Sequence, residues 1–443
     1  MKKSFLLFAS MSLFSYSYAQ DVVKKVCGHE LMVDQAVKRD PALLSKMYKA
    51  EADAALLPVT ANKTTAQSDV PVVFHLVLTQ VQFNSMGGEA GIMARINSQL
   101  DVLNKDYQRL NPDNANVPAA FQPLVGNPGI KFKLATVDPN GQPTKGFDYK
   151  IVTNASFSAD DACKGAKFAS SNGIDIWTPE RYYNIWICTI APISGGMVLG
   201  VATPPAGSLI TFDRAEQGTV LDYRAFGVKG APQVVGQFYG GAYNGRTLTH
   251  ESGHFFNLYH TFGVYGACST DFVGDTPNQE EATNGCPSFP HTDACTTTAP
   301  GIMFMNFMDY SSDDCMNMFS QGQVTRMQAT FATNGPRAEL FDHPELTTPM
   351  APTGIAETAA IEQSLSIAPN PGNGVFVLQV KGGYSLKNVH VVDGMGKEIF
   401  STTGTALSGV NNMIDISRMP NGMYFVKCIF DEGTVTEKVI VNK

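Results

Sequence analysis

Three histidines and a glutamate stand together in His250-Glu251-Ser252-Gly253-His254-Phe255-Phe256-Asn257-Leu258-Tyr259-His260. On a helix, residues four apart share a face, so the imidazoles of His250 and His254 can reach one metal ion. Glu251, beside the first of them, is placed to take a proton from a water that the ion activates. His260 lies too far along to share that face, so the chain must turn sharply after His254. The turn is expected at Asn257, because it needs φ > 0 and asparagine is the most tolerant residue there after glycine. Three nitrogen ligands leave one position of Zn²⁺ open, the catalytic rather than the structural arrangement. An amphipathic helix with two surface histidines would account for the shorter pattern, but not for the third histidine behind a turn-compatible residue. The chemistry expected is zinc-dependent hydrolysis.

The elements that must hold these residues are readable around them. Tyr243 to Thr249 supplies a turn and then the entry into the zinc helix. Val70 to Leu78 reads as a buried strand, Ile130 to Val137 as a second and Tyr182 to Ile190 as a third. Gly91 to Leu110 reads as an amphipathic helix, with Ile92, Ile96, Leu100, Leu103 and Tyr107 near helical spacing. A short strand is expected just before Asp213, and a closing helix over 321–333, ended by Asn334-Gly335-Pro336. His75, inside an apolar strand, reads as a satisfied core histidine rather than a fourth ligand. Between His260 and the closing helix the chain is irregular, rich in Gly, Pro, Thr and Asp. Asp271, Asp275 and Thr276 offer oxygen atoms of the kind Ca²⁺ takes, with solvated turn residues as the plainer alternative.

The chain opens Met1-Lys2-Lys3, continues with an apolar run to Phe14 and reaches a small residue at Ala19, the pattern of a secretory signal peptide over residues 1–19. No later run reaches the ~20 apolar residues of a membrane helix, so an integral membrane protein is not expected. A net charge of −8 and a pI near 5.5 argue against nucleic acid as a partner. Eight cysteines in an exported chain point to disulfides. Four of them, Cys268, Cys286, Cys295 and Cys315, follow the zinc motif and allow three connectivities. Cys163 and Cys188 are a further candidate pair. Residues 20–66 read as a prosegment, helical over 34–57. Its Cys27 is expected to fill the open zinc position until the segment is removed, since a thiolate is a good zinc ligand. The alternatives are an unpaired cysteine without a role, or a partner for Cys428.

Together with the zinc motif, Asn306-Phe307-Met308-Asp309-Tyr310, the cysteine quartet and Cys315-Met316-Asn317-Met318-Phe319 resemble the pappalysin family of metzincin metalloproteases. The likeness runs over about residues 69–335 and includes Ile96 to Asp106. It implies an α+β metzincin catalytic domain over 67–336, with a twisted mixed sheet and helices over a zinc cleft and an irregular lower half holding His260. It implies that Met308 lies beneath the metal; Met316 and Met318 are the weaker candidates, because only Met308 has a tyrosine two residues on. That tyrosine, Tyr310, would reach toward the tetrahedral intermediate, and Cys27 matches the family's latency cysteine. The resemblance also implies pairing of Cys268 with Cys295 and Cys286 with Cys315. It places Asp314 at the base of the pocket that receives the residue after the scissile bond, where a carboxylate favours Arg, then Lys.

Residues 337–363 have the composition of a linker. From residue 364 to 443, short apolar alternations separated by turn signals read as a small β-sandwich. Ala368-Pro369-Asn370-Pro371, Val392 to Lys397 and Asn421 to Val426 resemble the sorting domain of the Bacteroidetes type IX secretion system. This implies engagement with that machinery and export through periplasm and outer membrane. The expected activity is a secreted zinc endopeptidase acting on protein substrates and cutting before Arg or Lys. The rival expectation is a catalytically silent surface-binding protein, against which the intact Glu251 and histidines weigh.

Overall fold

A computed structural model describes residues 25–55, 69–194, 196–205, 212–348, 362, 364–380, 384, 386–403, 413–430 and 433–443. The expected signal peptide, most of the expected linker and the strand expected just before Asp213 lie outside these residues. The chain divides into two compact units, residues 1–349 and 350–443.

In the first unit a two-residue strand β1 (Lys25–Val26) leads through Cys27 into helices α1 (Gly28–Arg39) and α2 (Leu43–Ala55). One continuous helix was expected here; Pro41, which cannot continue a hydrogen-bonded helix, lies in the break. The chain then builds β2 (Val70–Leu78), α3 (Gln80–Ser85), α4 (Gly88–Tyr107), β3 (Phe132–Leu134), β4 (Phe147–Ile151), β5 (Ser156–Phe157), β6 (Tyr183–Ile190), β7 (Met197–Val198), β8 (Gly200–Ala202) and β9 (Thr219–Asp222). Helices α5 (Arg246–Phe255) and α6 (Gln321–Phe331) complete it.

The sheet is mixed. Its path is β3-β2-β6-β9-β8, with β4 also pairing β2 and β5 pairing β6. All pairs are parallel except β8, which runs antiparallel to β9. Every residue of β2 is buried, as its unbroken apolar run requires of a central parallel strand. Ile92, Ile96, Leu100, Leu103 and Tyr107 of α4 join Phe74, Leu76, Ile185 and Leu248 in one core. His75 is the satisfied core histidine expected, with Nδ1 2.7 Å from Asp148 and Nε2 2.9 Å from Asn184.

Past Pro336 the chain stays with this unit: Leu340, Phe341 and Leu346, in two short 3-10 turns, are buried. The unit therefore continues about ten residues into the segment whose composition suggested a linker.

The second unit contains β10 (Leu365–Ala368), β11 (Val375–Val380), β12 (Leu386–Val392), β13 (Glu398–Thr403), β14 (Met413–Asp415), β15 (Gly422–Phe430) and β16 (Thr434–Val441). They form two antiparallel sheets, β10-β11-β14 and β13-β12-β15-β16. Phe376, Val389, Val391, Val426, Val435 and Val439 fill its core. No helix among the described residues is long and apolar enough to cross a membrane.

Candidate active site

Helix α5 presents the first two histidines, and its two ends are fixed differently. Gly245 enters it at φ 79°, a left-handed conformation that costs glycine little. At the other end Asn257 takes φ 72°. Leu258 N–H then donates to the Gly253 carbonyl (2.9 Å) and Asn257 N–H to the His254 carbonyl (2.9 Å), which closes the helix and sends the chain down to His260. The sharp turn expected at Asn257 is there. Neighbouring elements hold the helix in place. Tyr107 Oη donates to the Thr249 carbonyl, Thr249 Oγ1 to Asp106 Oδ2, and Tyr183 Oη is 3.0 Å from Ser252 Oγ. Arg246 forms a buried pair with Asp106 at 3.0 Å and donates to both oxygens of Asp113.

The three Nε2 atoms converge. His250 and His260 are 3.2 Å apart, His254 and His250 3.2 Å, and His254 and His260 3.0 Å. Three nitrogens held tetrahedrally at Zn–N distances of ~2.0–2.1 Å would stand about 3.3 Å apart, so the donor set fits one zinc ion. Nδ1 of His250 faces the Phe307 carbonyl at 2.7 Å and Nδ1 of His254 the Leu258 carbonyl at 2.8 Å. These partners take a proton on Nδ1 and leave Nε2 free to bind metal. Burial, helped by the neighbouring imidazoles, holds His254 and His260 well below the usual histidine range, and burial, with a smaller push from the Lys25 charge, takes His250 down to about 4. All three are therefore neutral, as ligation demands.

Cys27 Sγ completes this cluster. With the three histidines it forms a group whose ligand atoms lie within 4.8 Å of one another. The thiol is 3.3 Å from Glu251 Oε1, and the Cys27 N–H donates to Tyr310 Oη at 2.8 Å. Burial first, and Glu251 second, push the thiol pKa up, so a thiolate forms here only beside a cation.

Glu251 is buried, its Oε2 has no hydrogen-bond partner, and burial raises its carboxyl to about 8. A divalent cation at the histidines would oppose that rise. Gly200 on β8 makes room for it: a Cβ there would fall 2.6 Å from Glu251 Oε1. Met308 lies against the opposite side of the helix, and a Cβ on Gly253 would meet its Sδ at 2.4 Å. Met316 and Met318 are buried as well.

The N-terminal segment grips the site at points not visible in the sequence. His29 stacks on His254 with ring centroids 4.3 Å apart, and Tyr310 Oη donates to Glu30 Oε2 at 2.5 Å. A Cβ on Gly28 would collide with Val201 of β8, so glycine allows the close approach of α1. Arg326 of α6 donates to both oxygens of Glu51 in α2 and, through Nε, to the Asn257 carbonyl at 2.6 Å.

Below the histidines, Cys268 pairs with Cys295 and Cys286 with Cys315, as the resemblance implied. Cys163, Cys188 and Cys428 are buried free thiols. Asp271 accepts from the Thr276 hydroxyl and the Val273 N–H. Asp275 accepts from Ser320 Oγ and the Gly322 N–H at the start of α6. These oxygens close turns and cap a helix. Asp314 is exposed and held by Tyr243 Oη and Asn244 Nδ2, whereas its neighbour Asp313 is buried.

Comparison with known proteins agrees with this geometry. Residues 231–332 match the family described as pregnancy-associated plasma protein-A, and residues 366–442 the secretion system C-terminal sorting domain. An extracellular metalloprotease of Pyricularia oryzae is 31% identical over 65% of this chain and 82% of its own length. The chain belongs to the pappalysin family of metzincin metalloproteases. Two solved pappalysin-family structures from Tannerella forsythia are similar throughout their length. Mature mirolysin in complex with a cleaved peptide is 40% identical, covers 64% of this chain and 100% of its own, and has a TM-score of 0.57. A promirolysin mutant is 38% identical, covers 73% and 100%, and has a TM-score of 0.63. This pappalysin is a secreted zinc metalloendopeptidase whose C-terminal sorting domain marks it for type IX export.

Proposed function

We propose that His250, His254 and His260 hold the catalytic Zn²⁺, that Glu251 is its proton acceptor and that cleavage falls before Arg, with Lys second. The observation that carries this reading is the convergence of three neutral Nε2 atoms beside a buried carboxylate. Zinc held there supplies Lewis acidity toward water and the scissile carbonyl. Glu251, next to that position, accepts the proton of the attacking water and returns it to the leaving amine. Once Glu30 and the Cys27 N–H have left, Tyr310 Oη is free to donate to the oxyanion, a contribution of a few kcal/mol. Met308 floors the cluster by packing on Gly253. A catalytically silent adhesion module would have no need of a buried, unpartnered carboxylate oxygen beside three ligands.

Residues 20–66 act as a prosegment, with Cys27 as the fourth zinc ligand of the latent form; its place in the ligand cluster supports this. Residues 67–336 with the short turns that follow are the catalytic domain, and 364–443 engage the type IX machinery. The preference for basic residues rests on the resemblance that places Asp314 at the base of the pocket; its neighbour Asp313 lines the cavity at His250 and Glu251. Asp271, Asp275 and Thr276 have structural work already, in turns and at the cap of α6. Digestion of casein by the processed protein tests the reading. Activity should vanish with a zinc chelator and return with Zn²⁺, and fragments should begin with Arg or Lys. Undiminished digestion in the chelator would overturn it.

A further inference from the structure

Both partners of the Tyr310 hydroxyl belong to the N-terminal segment: the Cys27 N–H at 2.8 Å and Glu30 Oε2 at 2.5 Å. Without that segment, two things remain to orient the side chain. One is ring packing, with centroids 5.0 Å from those of His260 and Phe262 and 5.8 Å from that of His250. The other is the backbone from which the ring hangs, and a single side chain holds it. Asp309 Oδ1 accepts from the Tyr310 N–H at 2.7 Å and from the Thr283 N–H at 2.8 Å, while Oδ2 accepts from Gln279 Nε2 at 3.0 Å. The carboxylate is fully buried and these donors are neutral amides, a costly way to keep a charge. In return, one oxygen joins two segments far apart in the chain and fixes Tyr310 against the loop 279–283. That loop is itself anchored, because the Gln279 carbonyl accepts from the N–H of Cys268, which is bridged to Cys295. Upstream, the Met308 N–H donates to Asn306 Oδ1 at 2.9 Å and the Asp309 N–H to the Asn306 carbonyl at 3.1 Å, closing the turn just before the tyrosine.

We propose that Asp309 is a positioning residue for Tyr310, fixing the backbone from which the hydroxyl reaches the oxyanion. The inference rests on the role proposed for Tyr310 above. Both oxygens of Asp309 are engaged by protein donors, so it acts through its neighbour rather than on the substrate. Misplacing a group by about 1 Å can cost on the order of 10²-fold in rate. A donor used only in the transition state leaves substrate binding alone, so the signature is a fall in kcat with KM held.

A quenched fluorescent peptide built on a bond cut in casein gives kcat and KM for the processed parent, Asp309→Ala, Asp309→Asn, Tyr310→Phe and the double variant Asp309→Ala with Tyr310→Phe. Zinc content is measured for each. Asp309→Ala should lower kcat about tenfold or more, with KM within about threefold and zinc at the parental level. Asp309→Asn, which keeps an oxygen for the two backbone N–H groups, should recover kcat to within about threefold of the parent. On the Tyr310→Phe background, Asp309→Ala should cost less than about twofold, because the group it positions is gone. An equal loss on both backgrounds overturns the proposal, and so does loss of zinc in step with activity, which would make Asp309 an anchor of the whole centre. If Tyr310→Phe keeps the parental kcat, the role proposed for Tyr310 fails and this inference falls with it. Should Asp309→Ala not fold, Asp309→Asn decides on the same two backgrounds: a two- to threefold fall in kcat is expected with Tyr310 present and none with Phe, and equal falls overturn the proposal.

Discussion

Glu251 combines two demands that oppose each other. As the proposed proton acceptor it must be ionised, yet its burial favours the neutral acid. A cation at the three histidines would reconcile them, making metal and base one device. Glu251→Ala should keep fold and zinc content while proteolysis falls on the order of 10³-fold, since the carboxylate acts in the chemical step; zinc analysis beside a casein assay checks this. Asp106 is a second buried acid, with Oδ1 unpartnered and its carboxyl raised by burial to about 7 from an ordinary 3.8. Between those values the folded protein holds a proton that the unfolded chain has lost, so this group's share of stability falls as pH rises from about 4 to 7. Asp106→Asn should flatten that slope, by at most about 1.4 kcal/mol per pH unit, in denaturant titrations across the window. At this scale the sequence was legible wherever chemistry depends on local spacing: the three histidines, Glu251 and the turn at Asn257. It was silent on Lys25, His29 and Glu30, whose partners lie more than two hundred residues away and which no periodicity singles out.

Among the elements, α5 depends most on one backbone angle. Asn257 at φ 72° lets the helix end and His260 swing back, and a β-branched residue there would be strained by about 1–2 kcal/mol. Asn257→Gly should therefore keep zinc and thermal stability near parental, whereas Asn257→Val should bind zinc more weakly; calorimetry with zinc titration distinguishes them. Strands β2 and β6 were legible as largely apolar runs, because a central parallel strand buries both faces. Strand β4, Phe147–Ile151, was not, since its polar alternation suits a strand buried on one face and is short enough to pass for a loop. The turns after Pro336 were missed for a related reason: Leu340, Phe341 and Leu346 are too few to form a pattern, yet each finds a place in a core already built.

In the molecule as a whole, the proposed prosegment binds at several separate points: thiol at the histidines, Glu30 on Tyr310 and Glu51 on Arg326. Cys27→Ala should therefore shorten latency of the full-length protein without abolishing association of the segment, which activation time courses and co-purification of the cut segment would reveal together. If the mutant zymogen stays as inactive as the parent, steric cover alone maintains latency. The irregular half below the histidines is crossed by two disulfides and bounded by Arg246 and Arg326. Residues 247–325 contain neither Lys nor Arg. Both bounding arginines are themselves held, one by Asp106 and Asp113, the other by Glu51 and the Asn257 carbonyl. If cleavage falls before basic residues, as proposed, none is offered in the stretch that carries the three histidines, Glu251 and the cystines. Self-digestion during storage at high concentration should accordingly yield fragments whose new termini all map outside 247–325, and the metal centre should be the last part of the protein to be lost.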